Sequence, residues 1–334
     1  MSVAEVVSAV PTRDDVVARY LAFVAGRCRP NTLIASESDL RMFFAVIDKH
    51  PVEVTPADVF AFIAAQRRGP DGAQVVRLAD GETGLSVRTI KRRLASVSGL
   101  FNYLVLSGDR SSNPVPRGLA NRRTGAGGRA TGSPLIRTPR TLPRVLDPGE
   151  VIALLGAVRR WRDRAMLEAM VLGGLRCCEV IGLRLEDLQP TQRRVFVAEG
   201  KGGHQRLVPM SAQFFASVSN YLSSERPLDA ASDRLFVSLK GSRRGDGLSI
   251  DGLEQIVSAA KTRAGLTRAT CHQLRHTCLT RLREAGMALE AIQAQAGHRS
   301  IESTRVYLHL ADDWLADEYR RAADLIDATA GVLR

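Results

Sequence analysis

At 334 residues the chain is long enough for two domains, each with its own core. Its formal net charge of +12 rests on 47 basic residues, of which only Lys49, Lys91, Lys201, Lys240 and Lys261 are lysine. An arginine-dominated excess favours a polyanionic partner, most simply nucleic acid, because the planar guanidinium fork suits phosphate. Five cysteines, two of them adjacent (Cys177 and Cys178), make no disulfide framework, and no run approaches the roughly 20 apolar residues of a membrane span.

The opening residues lack a basic leader with an apolar stretch behind it, so a soluble protein of the reducing cytoplasm is expected. From Thr12 to about Gly108 the pattern is helical. Val17, Tyr20, Leu21 and Val24 mark a first amphipathic helix; Leu40, Phe43, Phe44 and Ile47 mark a second, which stops at His50-Pro51. Thr55 is a fitting N-cap for a third helix carrying Val59, Phe60 and Ile63. The fourth has the strongest periodicity, with Ile90, Leu94, Val97, Phe101 and Leu104 on one stripe. Arg88, Lys91, Arg92 and Arg93 crowd its first half, where cations oppose the helix dipole. A solvated face is the ordinary reading of such a run, and contact with phosphate is the candidate that would favour cations there.

Residues 109–145 break the composition: eight arginines stand against one acidic residue, among Gly, Pro, Ser and Thr. Such a segment reads as a linker with almost nothing to bury. Its basic residues, Arg122 and Arg123 among them, are expected to lie along a DNA backbone. The Gly125–Gly128 run has no Lys-Ser/Thr after it and is not a nucleotide phosphate loop.

A second domain is expected from Leu146 to about residue 310. Asp147-Pro148-Gly149-Glu150 opens a helix with a cap followed by proline. An apolar helix over Trp161–Leu172 precedes Gly173-Gly174-Leu175-Arg176, which leads into another with Val180, Ile181 and Leu183. Residues 194–198 and 204–209 then read as strand and strand around a glycine turn, with Lys201 at its tip. Helices dominate from Ala212 onward.

The stretch Cys271–Tyr307 holds the densest chemistry. His272 and Arg275, three apart, share a helix face, while Leu274, Cys278 and Leu282 recur every four residues on another. Gly297-His298 interrupts the pattern, and Ser300 can cap a short helix that carries Tyr307. The stretch reads as a holder for an anion beside a phenol.

Gly-Leu-Arg176-x-x-Glu179-x-x-Gly-Leu, Gly-Lys201-Gly, His272-x-x-Arg275-His276, Gly-His298 and Tyr307 together resemble the tyrosine recombinases, or phage-type integrases. The resemblance is close from Leu146 to about His309 and looser over the N-terminal helices, which look like that family's SAM-like core-binding domain. It implies a mainly α fold with a small β-hairpin (α+β), in two domains that form a C-shaped clamp around duplex DNA. Residues 12–108 would be the core-binding domain, 109–145 the linker, 146–310 the catalytic domain and 311–334 a terminal helix docking on a neighbouring protomer. By the same resemblance Tyr307 attacks a scissile phosphodiester and becomes a 3′-phosphotyrosine. Arg176 and Arg275 would neutralise the non-bridging oxygens, and Lys201 would protonate the leaving 5′-oxygen. His272 would assist the tyrosine proton, His298 would hydrogen-bond the phosphate, Glu179 would support the site from behind, and His276 would stand beside Arg275. The implied partners are double-stranded DNA with paired recombination sites, a homotetramer in the synaptic complex, and accessory proteins. Neither cofactor nor metal is expected, since one phosphodiester is exchanged for another, and the implied place of action is the bacterial nucleoid.

Other readings of the same residues exist. Cys271, His272, His276 and Cys278 fit no ordinary zinc spacing, and Gln273 stands where a metalloprotease helix would carry Glu. Tyr221 and Tyr319 compete with Tyr307 as nucleophile on composition alone; the nine-residue spacing from His298 selects Tyr307. A type IB topoisomerase would share much of the site, and a regulator on a decayed scaffold would share the fold, although it would be expected to have lost a motif residue. The apolar stripe of Trp314, Leu315, Tyr319, Ala322, Ala323 and Ile326 favours the recombinase. With the first helix starting near residue 12, a separate arm-binding domain is not expected. The arginine-rich linker then tilts the assignment from chromosome-dimer resolution towards a mobile-element integrase.

Overall fold

The structure, a computed structural model, describes residues 11–28, 30–67, 84–116, 118, 136, 144–198, 205–298 and 304. The chain divides into two compact units, Met1–Arg140 and Thr141–Arg334.

The first unit is helical: α1 (Arg13–Arg27), α2 (Pro30–Val46), α3 (Pro56–Arg67) and α4 (Val87–Leu106). Their starts follow local chemistry. Thr12 and Asp15 form a reciprocal capping box on α1, and Ser86 accepts from the Thr89 amide at the start of α4. Thr55 and Asp58 satisfy each other's amides ahead of α3. Ile90, Val97, Leu100, Phe101 and Leu104 of α4 are fully buried, each worth about 1.5–3 kcal/mol of apolar transfer. Phe43 is the hub, edge-on to Phe44, Phe62 and Phe101. Here the expected face of α3 is corrected. Phe62 turns inward and Phe60 is 46% exposed, because side chains two positions apart project to opposite sides of a helix.

The start of the stretch read as linker packs on this unit. Arg110 donates to the Pro51 and Val54 carbonyls at 2.7 and 2.9 Å and lies over the Phe101 ring, while Val115 is buried in the same core.

The second unit is built around α6 (Trp161–Val171), whose Ala165, Met166, Leu167, Ala169 and Met170 are all fully buried. Packed on α6 are α5 (Pro148–Gly156), α7 (Cys177–Gly182), α8 (Ala212–Ser224) and α10 (Cys271–Glu284). In turn α9 (Ile250–Arg263) packs on α5 and α7, and α11 (Leu289–Ala296) on α10. The Asp147–Glu150 capping box opens α5. Three antiparallel strands lie in the order β1 (Leu188–Gln189), β2 (Arg194–Val197), β3 (Arg206–Pro209). The hairpin register pairs Val197 with Arg206 and Arg194 with Pro209, with Val195, Val197 and Val208 turned to the core. The sequence pattern missed β1, which is two residues long and too short for any period-2 signal.

Candidate active site

Two glycines bring the chain from α6 to the site. Gly174 has φ +71°, and a Cβ there would lie 3.1 Å from Leu279 and 3.4 Å from the Cys278 sulfur. The turn delivers Arg176 to the N-cap of α7. Its backbone N–H donates to Glu179 Oε2 at 2.9 Å, and its Nη1 donates to Oε1 at 2.7 Å. Nη2 reaches the Gly297 carbonyl at 3.2 Å.

Glu179 is 3% exposed and gathers a second arginine that the sequence reading did not single out. Arg206, the first residue of β3, grips the carboxylate at two points, Nη1–Oε1 3.0 Å and Nη2–Oε2 2.9 Å. Its Nε donates to the Gln295 carbonyl. Burial alone would push the Glu179 carboxyl up, but the Arg206 bonds and charge, with Arg176 behind them, hold it below the ordinary range. Arg275 Nη1 stands 3.9 Å from Glu179 Oε2 as the third cation. Three guanidiniums around one carboxylate leave a positive excess, as an anion site requires.

Arg275 corrects the expectation of a polar pair opposite a core stripe. It is only 4% exposed, whereas His272 on the same helix is exposed. Helix α10 buries most of its circumference, Thr277 and Thr280 included, because it lies between α6 and α11. Arg275 donates through Nη1 to the Gly174 carbonyl and through Nη2 to the Ala296 carbonyl at 2.7 Å. The same Nη2 reaches His298 Nε2 at 3.1 Å, and His298 Nδ1 lies 2.9 Å from the hydroxyl of wholly buried Thr304. Burial, then the charges of Arg275 and Arg176, lower the His298 pKa to about 4, so the ring is neutral at pH 7. Gly297, with φ +60°, ends α11 and lets the Arg206 guanidinium approach where a Cβ would meet it at 2.9 Å. His272 and His276 pair through their Nε2 atoms at 2.8 Å, with the rings edge to face.

Arg176, Glu179, Arg275 and His298 therefore come together, and exposed His272 pairs with half-buried His276 elsewhere on α10. Lys201 and Tyr307 lie outside the described residues, as do Arg122, Arg123 and the 311–334 tail. Arg206, Gln295 and Thr304 were missed. The sequence signal for Arg206 was the need of a buried acid for more than one cation; Gln295, which donates to the Gly173 and Pro209 carbonyls, left none. The thiols of Cys271 and Cys278 are pushed up to about 12 by burial and are packing groups at neutral pH. Among the described residues no group of three or more His, Cys, Asp or Glu side chains could hold a metal ion.

In the first unit, the basic run of α4 separates into two kinds. Arg92 Nη1 pairs with Asp39 at 2.6 Å, and Arg93 lies 3.9 Å from the same carboxylate and donates to Gln66. Asp39 is 1% exposed, so part of the run is explained by a buried acid in α2. Arg88 is exposed and Lys91 half-buried.

Residues 144–313 match the phage integrase family. Tyrosine recombinase XerD of Mycobacterium tuberculosis (strain H37Rv) is 32% identical over 293 residues, covering 83% of this chain and 86% of its own. Tyrosine recombinase XerC of Pelobacter propionicus is 30% identical over 303 residues, covering 88% and 89%. Among solved structures, a lambda integrase fragment dimer bound to a COC′ core site superposes with TM-score 0.64 at 17% identity, covering 89% of this chain and 95% of that one. XerH bound to palindromic difH substrate gives TM-score 0.64 at 18% identity, covering 92% and 84%.

Proposed function

This chain belongs to the phage integrase family and is a site-specific DNA recombinase, and on that premise we propose a residue-by-residue chemistry for it. The Tyr307 oxygen forms a bond to the scissile phosphorus as the bond from phosphorus to the 5′-oxygen breaks. The products are a 3′-phosphotyrosine and a free 5′-hydroxyl. Religation reverses the same exchange, so the number of phosphodiester bonds is conserved and ATP has no part. A phenol of ordinary pKa near 10 attacks poorly at neutral pH without a positive field or a base. Arg176 and Arg275 supply that field and the donors to the non-bridging oxygens. Lys201 protonates the leaving oxygen, His272 relays the tyrosine proton to His276 or solvent, and His298 contacts the phosphate. Glu179 and Arg206 hold the first arginine in place.

What supports this assignment most directly is the convergence of Arg176, Arg275 and His298 from three separate elements around one buried carboxylate. The partner is duplex DNA, held by Arg88 and Lys91 of α4 and by Arg122 and Arg123 of the 109–145 segment. Four protomers join in the synaptic complex through the 311–334 tail. Accessory proteins act there in choosing direction, and the reaction belongs to the bacterial nucleoid. The arginine-rich segment supports a mobile-element role. None of the described helices is long and apolar enough to cross a membrane.

The test is a supercoiled plasmid carrying two copies of the DNA that flanks the chain's own gene, incubated with purified protein and EDTA, without ATP. Recombinant circles are expected from the full chain, and a chain ending at residue 311 should cleave without exchanging strands. Relaxation with no exchange would favour a topoisomerase, and tight binding with no cleavage a regulator.

A further inference from the structure

The contacts of His298 fix the proton on its ring. Arg275 Nη2, 3.1 Å from Nε2, can only donate, so Nε2 carries no hydrogen in the DNA-free protein. The ring is neutral, so the proton resides on Nδ1 and is donated to the Thr304 hydroxyl 2.9 Å away. Thr304 is wholly buried. Its hydroxyl is a neutral partner beside the charges of Arg176, Arg206, Arg275 and His276, and accepting from Nδ1 adds no charge to a cluster already rich in it.

We propose that Thr304 is the positioning residue of His298: its hydroxyl receives the Nδ1 hydrogen that the Arg275 contact dictates and so holds the ring with Nε2 aimed at Arg275. This rests on the function assigned above, in which Arg275 and His298 meet the scissile phosphate. In the resting protein Nε2 then occupies a donor of Arg275 until the phosphate takes it. A contact from His298 Nε2 to a phosphoryl oxygen requires one proton taken from solvent as DNA binds, with Nδ1–H staying on Thr304. Imidazole orientation at metal and catalytic centres is commonly set by the partner of the second nitrogen, and here that partner is a hydroxyl.

The experiment uses full-length protein labelled with 15N-histidine, as wild type, Thr304→Val and Thr304→Ser. Long-range proton–nitrogen spectra report which nitrogen of His298 is bare. Wild type and Thr304→Ser should show a bare Nε2 and a protonated Nδ1; in Thr304→Val the buried Nδ1–H loses its acceptor, the ring turns away from Arg275, and the single pattern is lost. On a nicked duplex that wild type cleaves, Thr304→Val should form the covalent adduct about a hundredfold more slowly, with DNA affinity unchanged and Thr304→Ser rescuing the rate. A protonated Nε2 in free wild type would overturn the proposal, as would Thr304→Val with both the wild-type pattern and the wild-type rate. If wild type formed no adduct at all, the function assignment would fall, and the nitrogen pattern would still decide this one.

Discussion

Arg206 and Glu179 form a two-point ion pair, 3.0 and 2.9 Å, that joins the start of β3 to the first turn of α7. Glu179 in turn receives the backbone and side chain of Arg176, so the arginine proposed to meet phosphate is held by a carboxylate that another arginine anchors. The placing of the Arg176 charge depends on a residue 27 positions further along the chain.

Breaking this pair should cost stability as well as activity. Arg206→Ala leaves a fully buried carboxylate with Arg176 as its hydrogen-bonded cation, and about 3 kcal/mol should be lost from the second unit's urea transition. Arg206→Lys, which keeps the charge without the fork, should fall between the two. A wild-type transition in Arg206→Ala would show that the pair is ornamental.

His298 gives the protein a pH dependence of known sign. Its folded pKa of about 4 lies below the ordinary histidine value of 6.5, so between those values the unfolded chain binds the proton and the folded one does not. Stability contributed by this group is complete above pH 6.5 and is lost as pH falls through about 4. Glu179, also depressed, acts in the same direction but only below the ordinary carboxylate range. Unfolding midpoints measured between pH 7 and 5 should decline in wild type and decline less in His298→Asn. Parallel declines would remove His298 as the cause.

Gly297 is required twice over. Its left-handed backbone costs an alanine about 1–2 kcal/mol, and the new Cβ would press within 2.9 Å of an Arg206 guanidinium that Glu179 already holds. Gly297→Ala should therefore destabilise by about 2 kcal/mol or more, whereas alanine at Gly265, whose φ is +68° but whose surroundings are open, should cost only the backbone part. Equal losses at the two positions would mean that Arg206 yields freely.

The basic run of α4 should split by experiment as it does in space. Arg88→Ala and Lys91→Ala are expected to lower the slope of log affinity against log salt on a non-specific duplex by about one each, with unfolding unchanged. Arg93→Ala removes a partner of buried Asp39 and Gln66 and should shift the unfolding midpoint first. Uniform behaviour across the three variants would refute the division.

Periodicity made much of the fold legible. The stripe on α4 and the caps at Thr55 and Asp147 are local, and local signals survive in a sequence. What escaped was set by distance along the chain. Arg92 and Arg93 meet an acid in α2, Arg206 of β3 meets Glu179 of α7, and Thr304 meets His298 after the helix has ended. Nothing in the spacing of Arg275 foretold its burial, because the periodic stripe beside it gave no hint that α11 would close over it. The motif placed Arg176, Glu179, Arg275 and His298 in one cluster, and the structure supplied the residues that hold them there.

The proposed chemistry requires that Tyr307 become covalently joined to DNA. Purified wild type and Tyr307→Phe should be incubated with a nicked duplex spanning the gene's flanks, and the products separated in SDS. The expected result is a protein–DNA adduct in wild type alone, its tryptic phosphopeptide containing Tyr307. An adduct of equal yield in Tyr307→Phe would exclude Tyr307 as the nucleophile and point to Tyr319.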